Sequence, residues 1–225
     1  MLKRILRYAV VLTVGLAAAS VGWVALYRVV SPPATPLMLI QAVEGAGITK
    51  DWTGLDGISP HLVRAVIGAE DSRFCHHGGF DWDALQDAWE DNQSGGRMRG
   101  GSTISMQTAK NAFLWPGRTY VRKGVEAWFT FWLELLWPKA RTMEIYLNIV
   151  EWSDGIYGAE AAARSHFRKS AADLTRREAA MLAAVLPNPR RWSPASPTRY
   201  IGARANVIQQ RMQIVERDGL AGCVR

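Results

Sequence analysis

Ser59-Pro60-His61-Leu62-Val63-Arg64-Ala65-Val66-Ile67-Gly68-Ala69-Glu70-Asp71 is the stretch that decides the fold class. Ser59 suits an N-cap, and Pro60 suits the first helical position, where its missing N–H is no loss. Leu62, Val63, Val66, Ile67 and Ala69 follow at three-and-four spacing, the mark of a helix with one buried face. This helix delivers Glu70 and Asp71 at its C-terminal end, and Arg73, Phe74, His76, His77 and Gly78-Gly79 come directly after. On its own, an acidic pair at a helix end reads as surface charge. Partial desolvation by Phe74 gives the alternative, a carboxyl with a raised pKa that acts as a general base. His76 and His77 lack the HExxH or Cys/His spacing that a metal site would need.

Downstream, Asp81 caps a second expected helix bearing Trp82, Leu85 and Trp89, and the glycine-rich run from Gln93 to Gly101 reads as a mobile loop. A third helix is expected from Ser102. Others are expected from about Tyr120 to Trp137, through Glu144 to Asn148, from Thr175 to Leu186 and from about Thr198 to Val215. Thr175 and Glu178 form a capping box, and Pro187-Asn188-Pro189 stops that helix. No long alternating pattern competes, so the class is mainly α.

Gly100-Gly101-Ser102-Thr103-Ile104 is a glycine loop opening a helix, which offers backbone N–H groups and a positive dipole end to an anion; a flexible loop with a Ser cap is the plainer reading. The Walker pattern GxxxxGK[ST] is absent. Lys110, Arg118, Arg122 and Lys123 follow closely, enough positive charge to hold a diphosphate. Glu126 then stands in an apolar stretch, Val125 to Leu133, where a carboxylate is costly unless paired or used. Ten Trp is a high number for 225 residues, and Phe113, Leu114, Trp115, Trp128, Phe129, Phe131, Trp132, Leu136 and Trp137 cluster in one region. About half fit a buried core by helical spacing, and the rest suit a face at a bilayer interface.

Upstream, no charge occurs from Tyr8 to Tyr27, and about 20 residues at roughly 1.5 Å each span a hydrocarbon core. Lys3, Arg4 and Arg7 precede this run and only Arg28 follows at once, which places the N-terminus in the cytoplasm and the rest outside. A cleaved signal peptide ending at Ala17-Ala18-Ala19 is the competing reading, but the apolar run continues past it through Val21, Trp23, Val24, Ala25 and Leu26. The expected organisation is therefore residues 1–30 as a cytoplasmic stub and transmembrane anchor, 31–36 as an extended Pro-rich stalk, and 37–225 as one domain. An excess of 27 Lys and Arg over 20 Asp and Glu favours a polyanionic partner. Cys75 and Cys223 are read as free thiols, with a single bridge between them as the alternative.

Taken together, these motifs resemble the peptidoglycan glycosyltransferase family, in particular its monofunctional biosynthetic transglycosylases. Glu70 to Gly79 matches EDxxFxxHxG, and Gly100 to Asn111 matches GGSTIxQQxxKN apart from Met106, which stands where many members have a glutamine. Arg122-Lys123-Gly124-Val125-Glu126 resembles RKxxE. Glu144 to Asn148 with Gly155 and Gly158 resembles the ExYLN region, and Leu182 to Pro189 resembles the last motif. The resemblance runs from about Asp56 to Pro189 and implies a lysozyme-like glycosyltransferase domain behind one transmembrane helix.

The resemblance implies that Glu70 is the catalytic base and Glu126 a second essential carboxylate. Ser102, Thr103, Gln107, Lys110, Asn111 and Arg118 then bind substrate, and Asp71, Phe74, His77 and Lys123 support them. The implied reaction polymerises lipid II into β-1,4-linked glycan with loss of polyprenyl diphosphate, at the bacterial inner membrane with the domain on the periplasmic side. It also implies a divalent cation, Mg or Mn, near Glu126, and other cell wall synthases as partners. Lysozyme-like or lytic cleavage of peptidoglycan is the rival enzyme reading, since two carboxylates also serve hydrolysis, although a cleaver needs no diphosphate site. An anchored cell-wall scaffold is the non-enzymatic rival. No Ser-x-x-Lys with Lys-Thr-Gly is present for transpeptidation, and export disfavours a nucleic-acid partner.

Overall fold

The computed structural model describes residues 1–93, 100–117 and 119–224. The N-terminal apolar run forms a single helix, α1 (Leu2–Tyr27), long and apolar enough to cross a membrane. Most of α1 is exposed, but Val24 and Tyr27 in its final turn are buried.

The stalk expected at 31–36 does not hold anchor and domain apart. Proline keeps Ser31–Thr35 out of helix, yet the segment lies against the domain, with the Lys50 ammonium donating to the carbonyls of Pro32 and Pro33. The cause is the end of α1, where the last four carbonyls lack intrahelical partners. Turn N–H groups of Arg28 and Val30 serve Ala25 and Leu26. The other two are served by the domain: Trp137 Nε1 donates to Val24 O at 2.8 Å and Arg141 Nε to Tyr27 O at 3.0 Å. A second arm of Arg141 reaches Val30 O at 2.9 Å.

A short helix that the sequence did not announce, α2 (Pro36–Val43), follows; the Thr35 hydroxyl caps it by accepting from Met38 N. Then come β1 (Thr49–Lys50), α3 (Pro60–Glu70), α4 (Trp82–Gln93), α5 (Ile104–Phe113), α6 (Tyr120–Leu136) and α7 (Lys139–Ile149). The chain continues through β2 (Glu151–Ser153), β3 (Ile156–Tyr157), α8 (Ala159–Phe167), α9 (Arg176–Val185) and α10 (Arg199–Arg217). The three strands form a small sheet in the order β1-β3-β2, with β1 parallel and β2 antiparallel to β3. Ser59 caps α3 with Pro60 at its start, and the Thr175–Glu178 capping box opens α9, as the sequence predicts. The helix expected from Ser102 begins instead at Ile104 with Thr103 as N-cap, because the Thr103 hydroxyl accepts from Met106 N.

Two apolar cores result. One gathers α3, α8, α9 and α10 around Leu62, Ile67, Leu182 and Met212. The other gathers Val24 and Tyr27 of α1, Met38 of α2, Phe113 of α5 and Phe129 and Leu133 of α6. α7 lies between them, giving Met143, Tyr146 and Leu147 to the first and Ile145 and Ile149 to the second. Alanines along α9 and Gly68 on α3 let the helices of the first core approach closely. A Cβ at Gly68 would stand 3.1 Å from Arg211 Cβ on α10.

Cys75 and Cys223 are not free thiols. They form a disulfide that ties the loop after α3 to the turn at Gly222–Val224, across a Cα separation of 5.6 Å that lies within bridging range. The expectation failed because two cysteines so distant in sequence carry no signal of proximity. Of the aromatic cluster, Phe113, Leu114, Phe129 and Trp137 are buried, Trp132 and Leu136 are half-buried, and Trp115, Trp128 and Phe131 are exposed. Trp128 Nε1 donates to Ser20 Oγ of α1, so the exposed aromatic face of α6 adjoins the apolar helix.

Candidate active site

A cleft of about 600 Å³ opens where the C-terminal end of α3 meets the start of α5 and the flank of α10; its wall includes Glu70, Gly101, Ser102, Trp192, Tyr200 and Arg204. α3 ends at Glu70 because Asp71 leaves the helical region, at φ −160° and ψ 79°. That turn buries Asp71 at the edge of the cleft, against the start of α5. Its Oδ2 accepts from Ile104 N at 2.9 Å, so Asp71 and the Thr103 hydroxyl together satisfy the first N–H groups of α5.

His77 completes this brace. Its Nε2 lies 3.0 Å from both Asp71 oxygens, and its Nδ1 accepts from Gly79 N at 3.2 Å, so the ring proton resides on Nε2. Thr103 Oγ1 donates to Gly79 O at 2.6 Å, closing the circuit between the two signatures. Gly79 has φ +88°, and a Cβ there would lie 2.6 Å from Glu134 Cγ, so only glycine fits. Phe74 is fully buried, with the Lys139 ammonium 4.5 Å from its ring centre; Lys139 in turn pairs with Glu134 at 2.8 Å, and Ser105 donates to the same carboxylate.

Glu70 is mostly buried at the cleft. Its Oε2 accepts from Gln107 Nε2 at 2.9 Å, and Gln107 Oε1 accepts from the Tyr146 hydroxyl at 3.2 Å. This amide orientation is the one that presents a donor to the carboxylate. Burial pushes the Glu70 carboxyl above its ordinary pKa, against the Gln107 hydrogen bond and the charges of Arg204 and Lys110. Tyr146 is raised well above the usual phenol range, by burial first and then by Glu70 and Asp71, so its hydroxyl keeps its proton.

Lys110 lies on α5, one turn beyond Gln107. Burial pushes its ammonium below the ordinary lysine range; Arg122 and Lys123 add to that shift, while Glu126 and Glu70 oppose it. Glu126 is buried on α6, with Arg122 Nη1 2.9 Å from one oxygen and Lys123 Nζ on the other. The result is a cluster of three cations, Arg122 buried, Lys110 half-buried and Lys123 exposed, with Glu126 as the carboxylate partner, an arrangement suited to a multiply charged anion.

Ser102 is exposed at the cleft, Thr103 uses its hydroxyl in the brace just described, and Asn111 and Met106 are buried on α5. Arg118 lies outside the described residues, as do residues 94–99 of the expected glycine loop. Asn148 is remote from the carboxylates in role: its amide holds Thr53 through both N–H and C=O. The site also contains residues that the sequence did not single out. Arg204 sits on a long helix with several arginines, and the Glu134–Lys139–Ser105 group joins three separate segments.

A divalent cation near Glu126 does not fit these donors, since both carboxylate oxygens already face cationic side chains. Asp71, His77 and Asp81 place ligand atoms within 4.8 Å of one another. Both nitrogens of His77 and both oxygens of Asp71 are engaged, and Asp81 caps α4 through Ala84 N.

The transglycosylase family model matches residues 38–213. Over the whole chain and 97% of the relative, the sequence is 60% identical to the biosynthetic peptidoglycan transglycosylase of Rhodospirillum centenum. Identity is 56% to the protein of the same name from Caulobacter vibrioides, covering 93% of this chain and 91% of that one. It is 50% to the one from Pseudomonas syringae pv. syringae, covering 95% and 93%.

Proposed function

The chain belongs to the transglycosylase family, and on that footing we propose that Glu70 is the general base of its glycan-polymerising reaction. The enzyme is a peptidoglycan glycosyltransferase that polymerises glycan chains in cell wall synthesis. The observation that carries the assignment of Glu70 is its position, a mostly buried carboxylate on the cleft wall with one oxygen held by Gln107.

The acceptor's GlcNAc 4-hydroxyl gives its proton to Glu70 as its oxygen attacks the MurNAc anomeric carbon of the donor. The anomeric C–O bond to the diphosphate breaks, and polyprenyl diphosphate departs. A raised pKa suits this role, because a base poised nearer neutral pH takes the proton more readily and still ionises. The charge that develops on the diphosphate needs preorganised cations, and Lys110, Arg122 and Lys123 supply them, with Arg118 as a further candidate. Glu126 keeps two of these cations in register.

We further place the N-terminus in the cytoplasm and the domain on the outer side of the bacterial inner membrane. The charge bias around α1 supports this, and the exposed aromatic face of α6 beside α1 would then rest at the lipid surface. A lytic cleaver would not need the cation cluster. Labelled lipid II and finished sacculi, offered side by side to wild type and Glu70→Gln, test the reading. Polymer from lipid II with wild type alone is expected; degraded sacculi with untouched lipid II would overturn it.

A further inference from the structure

The two oxygens of Glu70 are not equivalent. Oε2 is hydrogen-bonded to Gln107 Nε2 at 2.9 Å, whereas Oε1 faces Arg204 Nη2 at 3.8 Å, too far for a hydrogen bond and close enough for strong attraction. Arg204 comes from α10, whereas Gln107 comes from α5, and Arg204 lines the cleft beside Glu70. Its Nε is buried and has no acceptor among the described residues, so this guanidinium is not locked into a fork around the carboxylate. We propose that Arg204 is a positioning residue for the reaction: its charge keeps Glu70 ionised in a dehydrated site while leaving Oε1 unbonded, which makes Oε1 the oxygen that receives the acceptor's proton.

The division of labour follows from geometry. A bidentate arginine would occupy both oxygens and hold the carboxylate too firmly to accept a proton. An uncharged wall would let burial raise the carboxyl's pKa further, with only Gln107 and Lys110 to oppose it. A cation at 3.8 Å avoids both outcomes. The groups facing Glu70 are Asp71 beside it, Gln107 and Lys110 from α5, Tyr146 from α7 and Arg204 from α10. Lys110 also acts on the diphosphate side in the reading above, so Arg204 is the charge whose removal isolates the effect on the base.

This inference rests on Glu70 being the base, and the test separates the two ideas. Full-length protein carrying ¹³C-carboxyl glutamate is titrated by NMR as wild type, Arg204→Gln, Arg204→Lys and Glu70→Gln, the last assigning the resonance. The same proteins are assayed for lipid II polymerisation across pH. Removing the charge is expected to raise the Glu70 midpoint by about one pH unit, or about tenfold in its ionisation constant, with Arg204→Lys restoring most of the shift. The acid limb of kcat/KM is expected to move by the same amount. An unmoved midpoint in folded Arg204→Gln, or an activity loss uniform across pH, would overturn the role of Arg204. A midpoint that moves in Arg204→Gln, beside a wild type that never polymerises lipid II, would leave the coupling standing and remove Glu70 from catalysis.

Discussion

Gln107 Nε2 stands 2.9 Å from Glu70 Oε2, and the far end of the same amide accepts the Tyr146 hydroxyl. A buried tyrosine of α7 thereby fixes the amide of α5, and the amide fixes the carboxylate at the end of α3. Gln107→Ala should lose about tenfold to a hundredfold in kcat, the scale of one hydrogen bond to a charged group. Gln107→Glu should do more, because a second carboxylate at that distance raises the Glu70 pKa further and drives the acid limb of the pH–rate profile upward. An identical acid limb in wild type and Gln107→Glu would contradict the arrangement.

Lys110 gives the opposite limb. Burial holds its ammonium below the ordinary lysine range, so it loses its proton, and the reaction loses a leaving-group cation, on the alkaline side of the profile. Lys110→Ala should cost about 10²- to 10³-fold in rate if the cation acts like an oxyanion donor. Lys110→Arg should keep part of the activity and shed the alkaline limb, since a guanidinium stays charged; steady-state rates from neutral to high pH read this directly.

The Cys75–Cys223 bridge closes a separation of 148 residues. Chain-entropy reasoning gives a loop of that size roughly 4 to 5 kcal/mol, although engineered bridges often deliver less. Thermal unfolding of wild type with and without reductant, beside the Cys75→Ser/Cys223→Ser double variant, should show a lower Tm in both thiol-free and reduced forms. Matching transitions in all samples would mean that the bridge does not constrain the unfolded chain.

Trp137 serves both a core and a helix end. Trp137→Phe removes the hydrogen bond to Val24 O and should cost about 1 to 2 kcal/mol, while Trp137→Ala should cost about 3 to 5 kcal/mol. Both should make residues 28–35 more sensitive to protease in detergent or nanodisc. Cleavage rates equal to wild type would show that the contact does not hold the helix.

Much of this was readable from residue order, and the reasons are local. α3, α9 and the start of α10 announce themselves through Ser59-Pro60, Thr175 with Glu178, and Thr198, because capping is chemistry between neighbours. The strands escaped because two or three residues are too few to show an alternating period. α2 was hidden by the prolines around it, although Pro36 occupies the one helical position that tolerates proline. Glu70, Gln107 and Lys110 were legible as motif residues. Arg204 was not, since α10 carries arginines at 199, 204, 211 and 217 and only packing against α3 decides which one reaches Glu70.

The last carbonyls of α1 are finished off by side chains of the domain it precedes, and this alters what such a helix can be. It behaves as a mast rather than a leash. With α1 in a bilayer, as proposed above, the mouth of the cleft would keep a set height and tilt over the lipid plane and would not lean out to follow a lengthening strand. Travel relative to the cleft would then fall to the polymer.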